Sequence, residues 1–267
     1  MKEFTVREDT TLKTFTDNFY AQASFCFRTL LKAREIRVNG ARVSADMPLK
    51  QGDIVRYFLT PKQESRAAFS VVYEDGNVIV ADKESGVNSE AVFSALGERG
   101  ETYFIHRLDR NTAGLLIFAK NAEAEGELLS AFRDRRVEKI YLARVVGCPK
   151  EKHAVCTAYL KKDAAASRVR VSSKPVGEKI ITEYEVVERG ETSLLRVTLH
   201  TGKTHQIRAH LAFLGFPIVG DEKYGDGAYN RAHNAVRQKL VAKRLTLHCA
   251  GALAYLDGRS FLSSHEV

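Results

Sequence analysis

Residues 106–119 read His-Arg-Leu-Asp-Arg-Asn-Thr-Ala-Gly-Leu-Leu-Ile-Phe-Ala, a polar loop that runs directly into an apolar segment. The five apolar residues at 115–119 are typical of a short strand that is buried on both faces. Catalytic side chains are often carried by a polar loop that a rigid core strand holds in place. The sequence therefore predicts a functional loop at residues 106–114, with the carboxylate of Asp109 at its centre.

Asp109 lies between Arg107 and Arg110 in this loop, and the arrangement has two interpretations. Opposite charges favour the ionised form of a carboxylate, which a reactive aspartate requires. Alternatively, Asp109 only neutralises the two arginines in a structural ion pair. Spacing alone favours the structural ion pair, so other parts of the chain must decide between the two.

We expect residues 1–62, which precede this loop, to form a small separate domain. Apolar residues between 19 and 31 have the spacing of a helical region. Residues 35–43 form strand-like runs around an Asn-Gly pair, which is a strong signal for a hairpin, and residues 50–58 predict a turn followed by a strand. Residues 60–66 are polar, contain a proline and lack periodicity, so we interpret them as a linker.

The second expected domain, residues 69–262, contains strands and helices in irregular order. Its predicted strands are a hairpin at 71–81 and single strands at 115–119, 139–146, 180–187 and 193–200. Two helices are also predicted. Asn121 caps the first, which has Ala124, Leu128, Leu129 and Phe132 on one face, and the second runs from about 204 to 214 and ends at Gly215. Without a regular strand–helix–strand alternation, an α+β fold is favoured over a doubly wound sheet.

The composition is that of a folded, basic protein. The chain has 267 residues, of which 44% are hydrophobic and 28% charged, and a net charge of +8. Such a surface suits a polyanion, either nucleic acid or an anionic membrane. No segment approaches the roughly 18 consecutive apolar residues of a membrane helix, and the N-terminus lacks the apolar core of a signal peptide. We therefore expect a cytoplasmic protein that has no membrane partner.

Several other chemistries are disfavoured because their motifs are incomplete. Residues 201–204 read Thr-Gly-Lys-Thr, but a phosphate-binding loop would need glycine at position 197, which is valine. His205 and His210 are five residues apart, whereas zinc-binding histidines on a helix are typically four apart. The sequence has neither a Cys-x-x-Cys pair nor a Gly-x-Ser-x-Gly elbow. We expect no metal site and no cofactor.

Two long motifs resemble the RluA-type pseudouridine synthases. Residues 106–116 resemble the central motif of that family, and residues 199–225 resemble its long C-terminal motif nearly throughout. Two shorter segments agree, because residues 139–143 resemble its tyrosine motif and residues 244–249 its late strand. The resemblance implies a mixed, mainly antiparallel sheet flanked by helices and loops, and isomerisation of uridine to pseudouridine in RNA.

The N-terminal unit resembles an S4-type RNA-binding domain, chiefly through residues 36–40 and the Gly-Asp pair at 52–53. The resemblance implies a small α+β domain that contributes affinity for RNA more than it contributes chemistry. We accordingly expect RNA contacts from basic residues of this unit, namely Arg28, Arg34, Arg37 and Arg42.

The resemblance also implies roles for individual residues of the second domain. It implies that Asp109 is the essential catalyst, that Arg208 pairs with it, and that Tyr141 stacks on the target base. Arg107 corresponds to the residue that fills the space which the flipped base leaves. Further residues of the motifs are expected to contact the substrate, namely His106, Arg110, Thr112, Lys203, His205, Gln206, Ile207 and Leu245.

Three segments depart from the family pattern. Residues 83–86 read Lys-Glu-Ser-Gly where the family usually has Lys-Pro-x-Gly, Lys203 stands where arginine is usual, and residues 254–257 replace a Phe-x-His-Pro ending. None of the three lies in the central motif. The departures therefore concern substrate contacts and not the reaction.

The expected partner is RNA, with ribosomal RNA favoured and transfer RNA as an alternative, and the expected oligomeric state is a monomer. Two rival functions stay open at this point. One is an S4-type RNA-binding protein whose synthase domain is inactive. The other is a hydrolase that uses Asp109 as a general base, for which no second reactive motif is apparent.

Overall fold

The N-terminal unit is a four-stranded sheet with three helices packed against it in the computed structural model, which describes residues 1–163 and 168–267. The elements of this unit are β1 (Lys2–Thr5), β2 (Thr10–Thr11), α1 (Leu12–Phe19), α2 (Ala21–Phe25), α3 (Phe27–Ala33), β3 (Ile36–Val38), β4 (Ala41–Arg42), β5 (Pro48–Leu49), β6 (Ile54–Tyr57) and α4 (Pro61–Glu64). The sheet order is β1-β6-β3-β4, and all three pairings are antiparallel.

The expected hairpin at residues 35–43 is confirmed by β3 and β4. Its turn residues Asn39 and Gly40 both have positive φ angles, 50° and 85°, as a two-residue hairpin turn requires. The linker expected at residues 60–66 is wrong in part, because α4 forms there. Thr60 caps this helix in a capping box with Gln63, which satisfies backbone N–H groups that a short helix otherwise leaves free.

The second part of the chain is built on a large mixed sheet. Its elements are β7 (Phe69–Glu74), β8 (Val78–Lys83), α5 (Ser89–Gly97), β9 (Tyr103–Phe104), β10 (Ala113–Ala119), α6 (Ala122–Arg133), β11 (Val137–Val146), β12 (His153–Asp163), β13 (Arg168–Ser172), β14 (Glu178–Glu188), β15 (Thr192–Leu199), α7 (Gln206–Phe213), α8 (Gly227–Ala232), β16 (Leu240–Leu247), a 3-10 helix (Gly251–Leu256) and β17 (Ser260–Leu262). The strand order is β13-β12-β14-β15-β11-β16-β10-β8-β7, with β9 and β17 at the side, and among the described residues its ladders are antiparallel except that of β10 with β16. The expected α+β fold with a mainly antiparallel sheet is confirmed.

Strand β10 is buried on both faces, as its apolar sequence predicts. All seven of its residues are buried. Leu116 and Phe118 belong to one core cluster, and Leu115 and Ile117 to the cluster on the opposite face. Because successive side chains of a strand alternate between faces, this one strand fixes the position of both hydrophobic layers.

Two helices differ in detail from the sequence expectation. Leu129 was expected on the apolar face of α6, but its side chain is exposed, because it lies one residue beyond buried Leu128 and therefore about 100° around the helix. Helix α7 begins at Gln206 instead of about residue 204, since His205 adopts a left-handed backbone conformation with φ of 55°. Gly215 has the positive φ expected of the residue that ends a helix. Within the described residues, no helix combines the length and apolarity needed to cross a membrane.

Gly114 permits a close approach between β10 and β16. Its φ is 113°, and a Cβ atom there would lie 2.4 Å from the carbonyl oxygen of Ala242. This oxygen belongs to the strand that pairs in parallel with β10. The glycine is required here both for its backbone conformation and for its lack of a side chain.

We expect Gly114→Ala to destabilise the protein by about 3 kcal/mol or more, since it combines backbone strain with a clash against backbone. Urea unfolding followed by circular dichroism measures the change. Gly126→Ala is the matched control: this exposed residue of α6 has open space around it, and alanine there should stabilise the helix by about 0.5–1 kcal/mol. Equal effects of the two substitutions would contradict the close-approach argument.

Candidate active site

A cleft of about 570 Å³ opens where the Asp109 loop, strand β11 and the start of helix α7 meet. The loop joins β9 to β10, and the segment from residue 199 to 205 closes the opposite wall. Most of the residues expected from the sequence line this cleft, namely His106, Arg107, Asp109, Thr112, Tyr141, Lys203, His205, Gln206, Ile207 and Arg208. The fold thus brings together residues that are about a hundred positions apart in the chain.

Arg208 connects Asp109 to a second, fully buried carboxylate. Its Nη1 donates to Oδ2 of Asp109 at 2.8 Å, and its Nε and Nη2 donate to the two carboxylate oxygens of Asp221 at 2.6 and 3.0 Å. Asp221 also accepts hydrogen bonds from the backbone N–H groups of Lys223 and Tyr224. These hydrogen bonds hold the guanidinium in one orientation, in which Nη1 reaches Asp109.

Burial and charge act in opposite directions on this pair. Burial alone would raise the pKa of Asp221, but the hydrogen bonds and the charge of Arg208 outweigh it and leave that pKa below its usual range. Burial likewise opposes the charged form of Arg208, yet the carboxylates of Asp221 and Asp109 hold the pKa of the guanidinium above its usual value. Both groups stay charged as a result.

The arginines next to Asp109 in sequence are not its partners. Arg107 is mostly exposed and pairs with Glu90 at 3.3 Å, and Arg110 pairs with Asp17 of the N-terminal unit. The charge opposite Asp109 comes from Arg208 instead. Arg107 and Arg110 each pair with a different carboxylate. Within the described residues, Asp109 therefore does not form the ion pair with these two arginines that spacing alone favours.

Two residues expected to contact the substrate lie elsewhere. Arg110 does not line the cleft, because its guanidinium is bound to Asp17 and to the carbonyl oxygen of Gly86. Leu245 is buried in the hydrophobic cluster beneath α6, where core packing accounts for it. The basic residues of the N-terminal unit, Arg28, Arg34, Arg37 and Arg42, also lie outside the cleft walls.

Tyr141 lines the same cleft as Asp109. It is buried, and it lies in β11 where the register against β16 shifts between Ile140 and Tyr141. Burial, together with the nearby charge of Asp109, raises the pKa of the phenol above its usual value. The side chain therefore presents a neutral ring and a protonated hydroxyl to the cleft.

His205 lies on the other side of Asp109, with its Nε2 3.9 Å from Oδ1. Its Nδ1 is 2.9 Å from the hydroxyl of Tyr224, which accepts a hydrogen bond from the backbone N–H of Val169. The phenol proton is then available to Nδ1, which places the ring proton on Nε2, facing Asp109. Burial lowers the pKa of His205, so we assign this ring as neutral.

Other predicted residues build the walls of the cleft through internal hydrogen bonds. Nε2 of His106 accepts from the backbone N–H of Ile117, and burial lowers the pKa of this histidine to about 3. The hydroxyl of Thr112 accepts from Gln238 at 2.9 Å.

Gln206 is buried and supports the loop before helix α7 through four hydrogen bonds. Its partners are the hydroxyl of Thr201, the backbone N–H of Lys203, the carbonyl oxygen of Ile181 and the hydroxyl of Thr182.

Sequence reasoning missed three residues of the site, Lys139, Asp221 and Tyr224. Lys139 lines the cleft over the ring of Phe132 at 5.4 Å and forms no ion pair with the described residues. Burial lowers the pKa of its ammonium group. Its signal was its position two residues before Tyr141, since alternate residues of a strand share a face. Asp221 and Tyr224 had no signal beyond membership of the C-terminal motif.

A model of the RNA pseudouridylate synthase family matches residues 77–213, about half of the chain, including the Asp109 loop, Tyr141 and Arg208. The chain belongs to this family. The expected enzyme class is thereby confirmed: the protein is an RNA pseudouridine synthase, an isomerase that converts uridine to pseudouridine.

Within residues 1–163 and 168–267, no group of three or more His, Cys, Asp or Glu side chains is arranged to hold a metal ion.

Individual relatives agree with the family match. This pseudouridine synthase is 34% identical over 253 residues to ribosomal large subunit pseudouridine synthase C of Vibrio parahaemolyticus, covering 85% of this chain and 78% of the relative. The protein of the same name from Vibrio cholerae is 33% identical over 248 residues, covering 83% and 77%. The solved structure of human RNA pseudouridylate synthase domain containing 1 superposes with a TM-score of 0.61 at 26% identity, covering 74% of this chain and 90% of that one.

We expect Asp221→Asn to destabilise the synthase by about 3–5 kcal/mol, because it leaves the buried guanidinium without its main partner. The pKa of Asp221 is depressed in the folded state, so its contribution is present above the unfolded value and is lost as pH falls through the folded one. The difference from the unsubstituted protein should therefore shrink in acid.

Urea titrations between pH 7 and pH 3 measure this effect. Asp226→Asn is the control, since Asp226 is only half-buried and caps α8, and asparagine caps a helix about equally well. A loss for Asp221→Asn that is no larger than the loss for Asp226→Asn would contradict the proposed importance of the buried pair.

Proposed function

We propose that this protein isomerises uridines in structured RNA with Asp109 as the essential catalytic residue. The observation that carries the proposal is that the two carboxylate oxygens of Asp109 have different surroundings. Oδ2 accepts a hydrogen bond from Arg208 at 2.8 Å, while Oδ1 accepts none from the described residues and lies 3.9 Å from Nε2 of His205. A fixed carboxylate with one open oxygen is suited to act on a bound nucleotide.

The reaction breaks the bond from C1′ to N1 of uracil and forms the bond from C1′ to C5, and the proton on C5 leaves while N1 gains one. It involves no net oxidation or reduction. An attack by Asp109 on the base, an attack on the sugar and removal of a sugar proton would all use the open Oδ1. Arg208 supplies the compensating positive charge in each case, and Asp221 keeps that arginine in position.

The cleft has the size and the aromatic wall that a flipped nucleotide needs. A volume of about 570 Å³ falls within the usual range for small-ligand sites. A base in a duplex must leave its stack to reach such a site. We assign Tyr141 to stacking on the uracil, and Arg107, which is exposed at the rim, to the space that the base vacates.

Positive charge around the cleft suits the phosphates on either side of the target. Arg133, Arg135 and Lys139 line one wall. Lys203 lies at the rim, where it pairs with Glu178, so of these residues Lys139 is the cation held deepest without a carboxylate. We assign it to a phosphate of the target nucleotide.

The N-terminal unit, residues 1–62, is proposed to bind RNA through its sheet, as an S4-like domain. Arg37 in β3 is directly opposite both Arg42 in β4 and Arg56 in β6. Like charges that face each other across strands repel unless an anion lies between them. Arg56 is paired with Glu3, which leaves Arg37 and Arg42, with exposed Arg28 and Arg34 nearby in sequence, to hold phosphates.

Ribosomal RNA is the proposed substrate, because both Vibrio relatives are named as synthases of the large ribosomal subunit. Transfer RNA is the alternative. We further propose that the protein works as a monomer in the cytoplasm. Mapping pseudouridines in total RNA from cells with and without the protein distinguishes the two substrates, since the missing sites fall in one RNA class or the other.

We expect Asp109→Asn to fold and to bind RNA normally, yet to form pseudouridine at less than about a thousandth of the normal rate. A tritium-release assay on ribosomal RNA that was transcribed in vitro measures the rate. Asp257→Asn, an exposed substitution outside the cleft, is the control and should keep full activity. Normal turnover by Asp109→Asn would refute the proposed role.

We expect the double substitution Arg37→Gln and Arg42→Gln to weaken RNA binding and to reduce the slope of log K against log salt by about 1.4, or about 0.7 per lost phosphate contact. Filter binding at several salt concentrations gives that slope. Lys50→Gln is the control, because Lys50 is already paired with Asp9. An unchanged slope would exclude this sheet face as a phosphate-binding surface.

A further inference from the structure

The N-terminal unit contacts the back of the loop that carries Asp109. Arg110, the next residue in the chain, pairs with Asp17 of helix α1 and donates to the hydroxyl of Ser24 in α2 at 3.1 Å. Its Nε donates to the carbonyl oxygen of Gly86 at 3.1 Å. Three donors of one guanidinium thus bind two helices of the N-terminal unit and one turn of the larger sheet.

Asp17 is held rigidly on its own side of this contact. The residue is buried, and its carboxylate also accepts hydrogen bonds from the hydroxyl of Ser24 and from Lys13. A carboxylate with several donors has little freedom to follow a moving partner. The N-terminal helices therefore present a fixed acceptor to Arg110.

The backbone of the same loop is fixed from the other side. The carbonyl oxygen of Arg110 accepts from the backbone N–H of Gly86 at 2.8 Å and from Nζ of Lys83 at 3.1 Å. Lys83 is completely buried, which lowers the pKa of its ammonium group to about 7, and it also donates to the carbonyl oxygen of Val87. Since residue 110 is fixed at its side chain and at its carbonyl, Asp109 beside it has little freedom to shift.

Apolar packing and further polar contacts extend the interface beyond Arg110. Ala21 is buried in the core cluster of the large sheet, and Phe25 packs against that cluster. Asn88 donates to Asn18 at 2.9 Å, and Lys2 pairs with Glu98 at 2.9 Å. These contacts make the N-terminal unit part of the support for the site and not a freely tethered module.

We propose that the N-terminal unit positions the catalytic carboxylate, with Asp17 and Arg110 as positioning residues. The inference rests on the proposed catalytic role of Asp109. The carboxylate must meet Nη1 of Arg208 at 2.8 Å, and a displacement of about 1 Å at a reacting group can reduce a rate about a hundredfold. The unit then has two separable roles, RNA binding through its sheet and loop positioning through α1 and α2.

The test is the near-isosteric substitution Asp17→Asn in the full-length protein. We expect the single-turnover rate on ribosomal RNA transcribed in vitro to fall about 10-fold to 100-fold, with the dissociation constant for that RNA unchanged within twofold. Asp9→Asn is the matched control, since it makes the same chemical change in the same unit at an exposed ion pair with Lys50. It should leave both quantities unchanged.

A double-mutant cycle separates positioning from general destabilisation. Arg110→Gln removes the same ion pair, so the doubly substituted protein should be no slower than the slower single variant. Asp17→Glu should recover part of the rate. Ser24→Ala, which removes a hydrogen-bonded hydroxyl without changing charge, should lower the rate in the same direction and serves if Asp17→Asn fails to fold.

Three results would overturn the inference. The folded variants could have single-turnover rates within twofold of normal, or the rate of the double variant could fall by the product of the two single effects. The substitutions could also weaken RNA binding without changing the single-turnover rate. Asp109→Asn is assayed on the same RNA. If it stays active, the proposed function fails; if it is inactive while the Asp17 and Ser24 variants are normal, only the positioning role fails.

Discussion

The contact between Arg208 and Asp221 is the interaction on which the site depends. A buried guanidinium and a buried carboxylate are costly unless each satisfies the other. Asp221 binds two of the three guanidinium nitrogens of Arg208, and the third nitrogen, Nη1, donates to Asp109. The orientation of the candidate catalyst is therefore imposed by a residue outside the cleft walls.

The large sheet positions the Asp109 loop and Tyr141 close to each other. The Asp109 loop ends at β10, whose seven residues are all buried, and Gly114 lets β16 approach that strand at its first residues. Strand β11 pairs with the far side of β16 and carries Tyr141. A reactive group is held accurately only when its supporting element is rigid, and here the support is a strand that is buried along its whole length.

Local pattern accounts for the elements that could be predicted from the sequence. The apolar run of β10, the Asn-Gly turn before β4 and the Asn121 cap of α6 each follow from a few adjacent residues. The partner of Asp109 could not be found this way, because its neighbours Arg107 and Arg110 have other partners. Family resemblance supplied Arg208, but Asp221 depends on a three-dimensional contact that spacing does not reveal.

The parallel pairing of β10 with β16 also has a consequence for folding order. It joins Ala113 and Gly114 to Val241 and Ala242, so the first residues of β10 gain this neighbour only after residues 240–247 have been synthesised. Contacts between such distant segments form slowly because a long loop must close first. A ribosome that is still making this protein would therefore hold a chain whose candidate catalyst has been synthesised but whose supporting sheet is unfinished, which delays activity until strand β16 has been made.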